Sequence, residues 1–266
     1  VRGDGIWTTK DAGKTWNQLT STKNNEYLED FQLRKHIGNE IPFYANLGIA
    51  QIEKIAKSGR WEKISELIDK TETDGLIVHI NPLQEWLQPE GDTIEQAPLD
   101  TLKSLLNKLD IQLIVKEVGQ GMGPKSLNEL FKLPITAIDF GALGGTNFAL
   151  LELMRNSPHM LENFGLIANL GHKAEEMVIF CNDILENLAE TNTKTIIVSG
   201  GIKTFLDGFY FTSLIKSNAI YGQAWAMLQR ANKSFEVLDQ FVEYQIKGLQ
   251  MASQLLSPKP LRNFDK

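Results

Sequence analysis

The residue pattern implies an α/β protein: an incomplete TIM (β/α)8 barrel with about six βα units, two short of the full eight, in preference to an open doubly wound sheet. Three observations carry this. From about residue 41 onward, short β-branched runs alternate with amphipathic helical stretches six times over. Parallel strands need a crossover element between them, so such alternation builds a parallel sheet. Polar or glycine-rich clusters also close all six strands. An open doubly wound sheet would gather them at one switch point, whereas a barrel spreads them around its mouth.

Residues 1–22 differ from the rest. Thr9-Lys10-Asp11-Ala12-Gly13-Lys14-Thr15-Trp16 resembles the Asp-box hairpin, Ser/Thr-x-Asp-x-Gly-x-Thr-Trp, with Gly5-Ile6-Trp7 as its preceding strand. One copy cannot build a propeller, whose blades cover each other's faces. Residues 1–25 are therefore read as a foreign or mis-joined leader, with Ser21–Asn25 as a flexible joint.

The rhythm then starts. Ile41–Leu47 reads as a strand ending in Asn46-Leu47-Gly48, and Trp61, Ile64, Leu67 and Ile68 recur at helical spacing. Gly75–Ile80 is the second strand. It runs into His79-Ile80-Asn81-Pro82-Leu83-Gln84-Glu85-Trp86, where Pro82 and Pro89 speak against a helical continuation. Leu99, Leu102, Leu105, Leu106 and Leu109 mark a helix. Ile111–Val118 is a strand, 125–132 a helix, and Ile135–Phe140 a strand leading into Gly141-Ala142-Leu143-Gly144-Gly145-Thr146. After a longer excursion, Ala174 to Leu188 forms a helix, Thr195–Ser199 a strand ending in Gly200-Gly201, Phe205–Ser217 a helix and Ala219–Gly222 a short strand before the C-terminal helices.

Composition narrows the function. The chain has 266 residues with a net charge of −6 and no block of Lys and Arg, which argues against a nucleic-acid footprint. No apolar run reaches transmembrane length and no signal peptide opens the chain. Cys181 is the single cysteine, so an internal disulfide is excluded and a reducing cytoplasm is the simplest location.

The strand ends carry the candidate chemistry. Ser199-Gly200-Gly201 and Gly222-Gln223-Ala224, on consecutive strands, offer backbone N–H groups to a phosphate. Lys116 lies inside an apolar strand and needs an anionic or strongly accepting partner, such as the pyrimidine edge of a flavin. Gly144-Gly145-Thr146-Asn147 allows close backbone approach and adds a hydroxyl, and Asn46 suits a heterocycle. Glu85, with Glu90 and Asp92 nearby, offers hard oxygens. One carboxylate plus substrate phosphates is the usual way Mg2+ is held. His79 and Asn81 share a strand face and could donate to a diphosphate.

In this order, Asn46-Leu47-Gly48, His79 to Glu85, Pro89-Glu90-Gly91-Asp92, Val115-Lys116-Glu117-Val118-Gly119, Gly144 to Phe148 and Ser199-Gly200-Gly201 resemble the type 2 isopentenyl diphosphate isomerase family, over roughly residues 30–260. The resemblance implies that residues 26–266 are a partial FMN-binding TIM barrel. It implies a 1,3-allylic shift between isopentenyl and dimethylallyl diphosphate, requiring Mg2+ and FMN reduced by NADPH, in a cytoplasmic homo-oligomer (tetramer or octamer). It places Asn46, Lys116 and Thr146 on the flavin, and Gly200, Gly201, Gly222, Ala224 and Trp225 on its phosphate. Gln84 would lie against the reacting carbons as the catalytic residue, Glu85 on Mg2+, and His79 and Asn81 on the diphosphate.

There are departures. The family's N-terminal Arg-Lys arm, its first two strands, their Met-Thr-Gly-Gly-like loop and its Gly-Ser-x-Arg segment have no counterpart. Gly123, Gly141 and Trp225 replace residues common in relatives. The chain on its own is therefore expected to fold poorly and to be an inactive fragment. Two other readings remain. One is an FMN barrel of the α-hydroxy-acid oxidase type, though 139–147 and 195–203 lack its His–Arg pair. The other is a non-catalytic Asp-box protein.

Overall fold

The computed structural model describes residues 7–8, 17–18, 31–193 and 195–261. The Thr9–Trp16 turn and the Ser21–Asn25 joint lie outside the described residues. β1 (Trp7–Thr8) pairs antiparallel with β2 (Asn17–Gln18).

From there the order is α1 (Arg34–Ile37), β3 (Tyr44–Gly48), α2 (Ile49–Ser58), α3 (Glu62–Thr71), β4 (Gly75–Ile80), α4 (Pro82–Leu87), α5 (Pro98–Lys108), β5 (Gln112–Glu117), α6 (Pro124–Phe131) and β6 (Ala137–Asp139). It continues with α7 (Phe148–Arg155), α8 (Pro158–Phe164), α9 (Ala174–Asn187), β7 (Thr195–Val198), α10 (Phe205–Leu214), β8 (Asn218–Tyr221), α11 (Trp225–Ala231) and α12 (Phe235–Leu255). Strands β3 to β8 are hydrogen-bonded in chain order, and the β3–β4, β6–β7 and β7–β8 pairs are parallel.

The chain divides into two compact units. The first holds residues 1–115 and 151–164, the second 116–150 and 165–266, so β5 runs through both.

In the first unit, Ala45 and Leu47 of β3 and Leu76 and Val78 of β4 are buried, at the period-2 spacing of a strand with one covered face. Ile49 and Ile52 of α2 and Leu102 and Leu105 of α5 are buried too, and α2 packs on α5. Arg34 is a feature that hydrophobic pattern does not reveal. Its buried guanidinium donates to the carbonyls of Glu72 (3.0 Å), Gly38 (3.0 Å) and Ile41 (2.9 Å) and pairs with Asp74 at 2.9 Å. Asp74 also accepts the Phe43 N–H at 2.7 Å. That bond, then Arg34, holds the Asp74 carboxyl below its usual range. Arg34→Ala strands four acceptors and is expected to cost about 3 kcal/mol in urea unfolding. A folded pKa below the unfolded one means Asp74's contribution is present above about pH 4 and lost as pH falls through the folded value.

In the second unit, Ile138, Ile196 and Val198 are buried on the strands, and Leu127, Phe131, Met177, Val178 and Cys181 on α6 and α9. Burial pushes the Cys181 thiol up, which removes its nucleophilic form. α10 starts on a capping box. Thr204 Oγ1 accepts the Asp207 N–H at 3.3 Å, and Asp207 accepts the Thr204 N–H at 2.8 Å.

Most expected elements form, with ends shifted by one to three residues. One expectation needs correction: β4 is followed almost at once by a helix, α4, despite Pro82. At a helix's first position the missing N–H costs nothing and the fixed φ is already helical, so Pro82 starts the helix rather than preventing it. Pro98 and Pro124 open α5 and α6 in the same way.

Candidate active site

The first unit gathers a polar cluster at the carboxyl ends of β3 and β4. The parallel register sets Asn46 opposite Ile77 and Gly48 opposite His79. His79 Nδ1 lies 2.8 Å from Asn46 Oδ1, so the carbonyl holds a protonated Nδ1 and fixes the ring. One turn on, the start of α4 presents Asn81, Gln84 and Glu85 together. Asn81 Nδ2 donates to Glu85 Oε1 at 2.9 Å and to Gln84 Oε1 at 3.4 Å. Glu85 Oε2 accepts the Asp92 N–H at 2.8 Å, which closes the Pro89–Asp92 turn back onto the helix. Lys54 pairs with Asp92 at 2.6 Å, and Glu53 accepts the Glu95 N–H, so the same loop is pinned to α2.

A residue that sequence reasoning missed completes this cluster. Glu152 of α7 is buried, accepts from Gln84 Nε2 at 3.3 Å and pairs with Arg155, which also reaches Glu90 at 2.9 Å. The available signal was a single carboxylate in the apolar run Phe148–Met154. Asn81 is buried, and its Oδ1 has no hydrogen-bond partner. An unpartnered buried acceptor is costly unless something binds there.

The second unit carries the other cluster. Lys116 Nζ donates to the Glu117 backbone carbonyl at 2.8 Å. The Glu117 carboxylate was not foreseen as a structural centre. Its Oε2 accepts the N–H groups of Gly119 (2.6 Å), Gln120 (2.7 Å) and Gly121 (2.8 Å). Asp139 accepts the Ser199 hydroxyl, which in turn accepts the Gly141 N–H at 3.0 Å. Burial raises the carboxyls of both Glu117 and Asp139. Backbone donors oppose this at Glu117; at Asp139, Ser199 and then the Lys116 charge do so.

The sign follows. Carboxyls raised on folding contribute stability that is fully present below the unfolded pKa, near 4, and lost as pH rises through the folded value. Glu117→Gln keeps an acceptor and loses the charge, so it is expected to flatten the fall of Tm as pH rises from about 4. Glu117→Ala strands three N–H groups and is expected to cost about 3 kcal/mol.

The glycine turns form a cradle. Gly200 and Gly201 have φ of 85° and 76°. A Cβ on Gly144 or Gly145 would meet the backbone of Gly200–Gly201 at 3.3 Å, so the two turns lie against each other. Thr146 is exposed at the tip, and Asn147 ties the turn down through Ala168 O (2.6 Å) and Gln120 (3.2 Å). The Gly222 N–H bonds Val198 O at 2.9 Å, and Ala224 and Trp225 stand exposed at the start of α11. Both amide atoms of Gln223 are buried without a partner. Among the described residues no group of three or more His, Cys, Asp or Glu is arranged to hold a metal ion, and no helix is long and apolar enough to cross a membrane.

These features define an α/β protein of the TIM-barrel class with polar clusters at its strand ends. The chain shares that fold with a doubly substituted flavocytochrome b2 with sulfite bound, at a TM-score of 0.51 and 10% identity over 96% of this chain and 69% of that one. No family model matches the sequence.

Curated proteins do match. The chain is 32% identical over 185 residues to the isopentenyl-diphosphate delta-isomerase of Borreliella afzelii (strain PKo), covering 70% of this chain and 48% of the relative. It is 32% identical over 229 residues to that of Nostoc sp. (strain PCC 7120), covering 85% and 62%. The chain is thus similar to isopentenyl-diphosphate delta-isomerases over most of its own length. It spans about half to two thirds of the length of the relatives it matches.

Proposed function

We propose that the chain serves the interconversion of isopentenyl and dimethylallyl diphosphate, with Mg2+ and with FMN reduced by NADPH. The observation that carries this reading is the Asn81–Gln84–Glu85 group, built on one helix start in a chain related to enzymes of that name.

The residues present fit both groups. For FMN, the Gly144–Gly145 and Gly200–Gly201 turns lie backbone to backbone with no side chain between them, and the unpartnered Gln223 amide lies within the Gly222–Trp225 segment. Gly200, Gly201, Gly222, Ala224 and Trp225 would hold the phosphate, and Lys116 and Thr146 the ring. When bound and reduced, the flavin supplies an electron-rich ring that stabilises cationic character in the alkene.

For Mg2+, Glu85 offers a carboxylate fixed by two hydrogen bonds, beside the unpartnered Asn81 oxygen. One protein carboxylate, with substrate phosphates and water completing the shell, is ordinary for this ion. Gln84 would orient the reacting carbons, one of which gains a proton while another loses one. His79, with its Nδ1–H held by Asn46, would donate Nε2–H to the diphosphate as the imidazolium. The solvent side of the cluster is exposed at Trp86, the next residue on α4.

Binding is the primary readout. Titrating FMN should give a yellow protein with saturable binding. Lys116→Gln should lower the bound flavin's midpoint potential on the order of 30 mV, one interaction of 1.4 kcal/mol for a two-electron couple. A chain that binds no flavin, or a potential unmoved by that change, contradicts the assignment of Lys116.

A further inference from the structure

We infer that Asn81 is a positioning residue that orients Gln84 and Glu85 together, rather than a donor to the diphosphate. The inference rests on the isomerase reading for what the oriented groups do, but its geometry stands by itself.

Four side chains form one directional chain. Glu152 accepts from Gln84 Nε2 at 3.3 Å, and Gln84 Oε1 accepts from Asn81 Nδ2 at 3.4 Å. Asn81 Nδ2 also donates to Glu85 Oε1 at 2.9 Å. A carboxylate accepts and cannot donate, so the two ends fix the direction of both amides. Reversing Asn81 would set its oxygen against Glu85. Reversing Gln84 would set oxygen against Glu152 and amide against amide.

Both N–H bonds of Asn81 are therefore engaged within the chain, and only its carbonyl lacks a partner. A diphosphate is an acceptor as well and gains nothing from that carbonyl. Bonds to charged groups are the strong ones, so the Glu85 contact dominates and the Gln84 contact sets direction. The chain is also anchored beyond its ends: Arg155 holds Glu152, and the Asp92 N–H holds the far oxygen of Glu85. Losing Asn81 would release the metal-binding carboxylate and the candidate catalytic amide at once.

The test has two arms on Asn81→Ala, with Asn81→Asp as an isosteric second variant. In the first arm, side-chain amide NMR reads Gln84 directly. The protein should show two well-separated, exchange-protected Gln84 NH2 signals, and both variants should collapse them towards free-amide values. Unchanged Gln84 signals in a folded variant overturn the inference.

In the second arm, Mn2+ binding is followed by EPR and metal-free inorganic diphosphate binding by calorimetry. Asn81→Ala should weaken Mn2+ at least about 10-fold, the usual cost of losing a residue that orients a metal ligand. It should leave metal-free diphosphate affinity within about 2-fold. The reverse pattern, diphosphate weakened and Mn2+ untouched, makes Asn81 a substrate donor and overturns the inference. If the unsubstituted protein binds neither probe, the isomerase reading fails, and the NMR arm alone still decides whether Asn81 orients Gln84.

Discussion

Gly200→Ala is expected to abolish FMN binding, while Gly222→Ala is expected to leave it nearly intact. A Cβ on Gly200 would lie 2.0 Å from Ala142 O and 2.4 Å from Ala142 N, both backbone atoms that cannot swing aside. The residue also holds φ at 85°, where a side chain is strained whatever the space. Gly201 has a similar φ of 76°, but the nearest atom to its Cβ is 3.5 Å away, so Gly201→Ala carries strain without collision. At Gly222 the nearest contact is 3.4 Å and no positive φ is required. The three variants should therefore rank Gly200 far above Gly201, and Gly201 above Gly222. In a flavin fluorescence titration, Gly200→Ala should lose affinity at least about 100-fold, because Ala142 and the Ser199 carbonyl it pairs with at 3.0 Å must move. Equal affinities across the three would show that this turn does not hold the cofactor.

Glu85→Gln should remove divalent-metal binding while preserving the fold. Each Glu85 oxygen accepts one bond, from Asn81 Nδ2 at 2.9 Å and from the Asp92 N–H at 2.8 Å. A glutamine keeps one acceptor, so one of those donors must face an NH2 group. The substitution thus removes the charge that attracts the cation and also loosens the Pro89–Asp92 turn. Mn2+ affinity should fall at least about 100-fold, more than for a residue that only orients a ligand. Thermal stability should fall by about 1 kcal/mol or a little more, the worth of the lost bond. Glu90→Gln is the control and should leave metal affinity within about 3-fold, since its carboxylate reaches Arg155 rather than the Asn81 group. A Glu85→Gln protein that binds Mn2+ as the unsubstituted protein does would remove the metal from this cluster.

Much of this was readable from residue order, and the exceptions share a cause. Strand ends were legible because β-branched runs stop where polar residues begin, as at Ile80-Asn81 and Val198-Ser199. The need for a partner at Lys116 was legible from its cost in an apolar strand. The partner found, a backbone carbonyl of Glu117, was not, since any carbonyl can serve and sequence does not label them. Glu117 was not legible as a centre either, because a strand residue is expected to point to one face of the sheet. Its carboxylate instead turns into the following loop and gathers three N–H groups there. Glu152 stayed hidden because its helix lies in a stretch with no clear place in the strand–helix rhythm. The argument applied to Lys116, a charge among apolar neighbours, would have found it. Pro82 misled for a different reason: proline breaks a helix interior but favours its first turn, and the reading turned on a single position.

The most direct test is calorimetric titration of isopentenyl diphosphate into FMN-loaded protein, with and without Mg2+. Saturable binding that requires Mg2+ and disappears in Glu85→Gln is the predicted result. Absence of binding under both conditions, or binding indifferent to Mg2+ and to that substitution, would contradict the assignment.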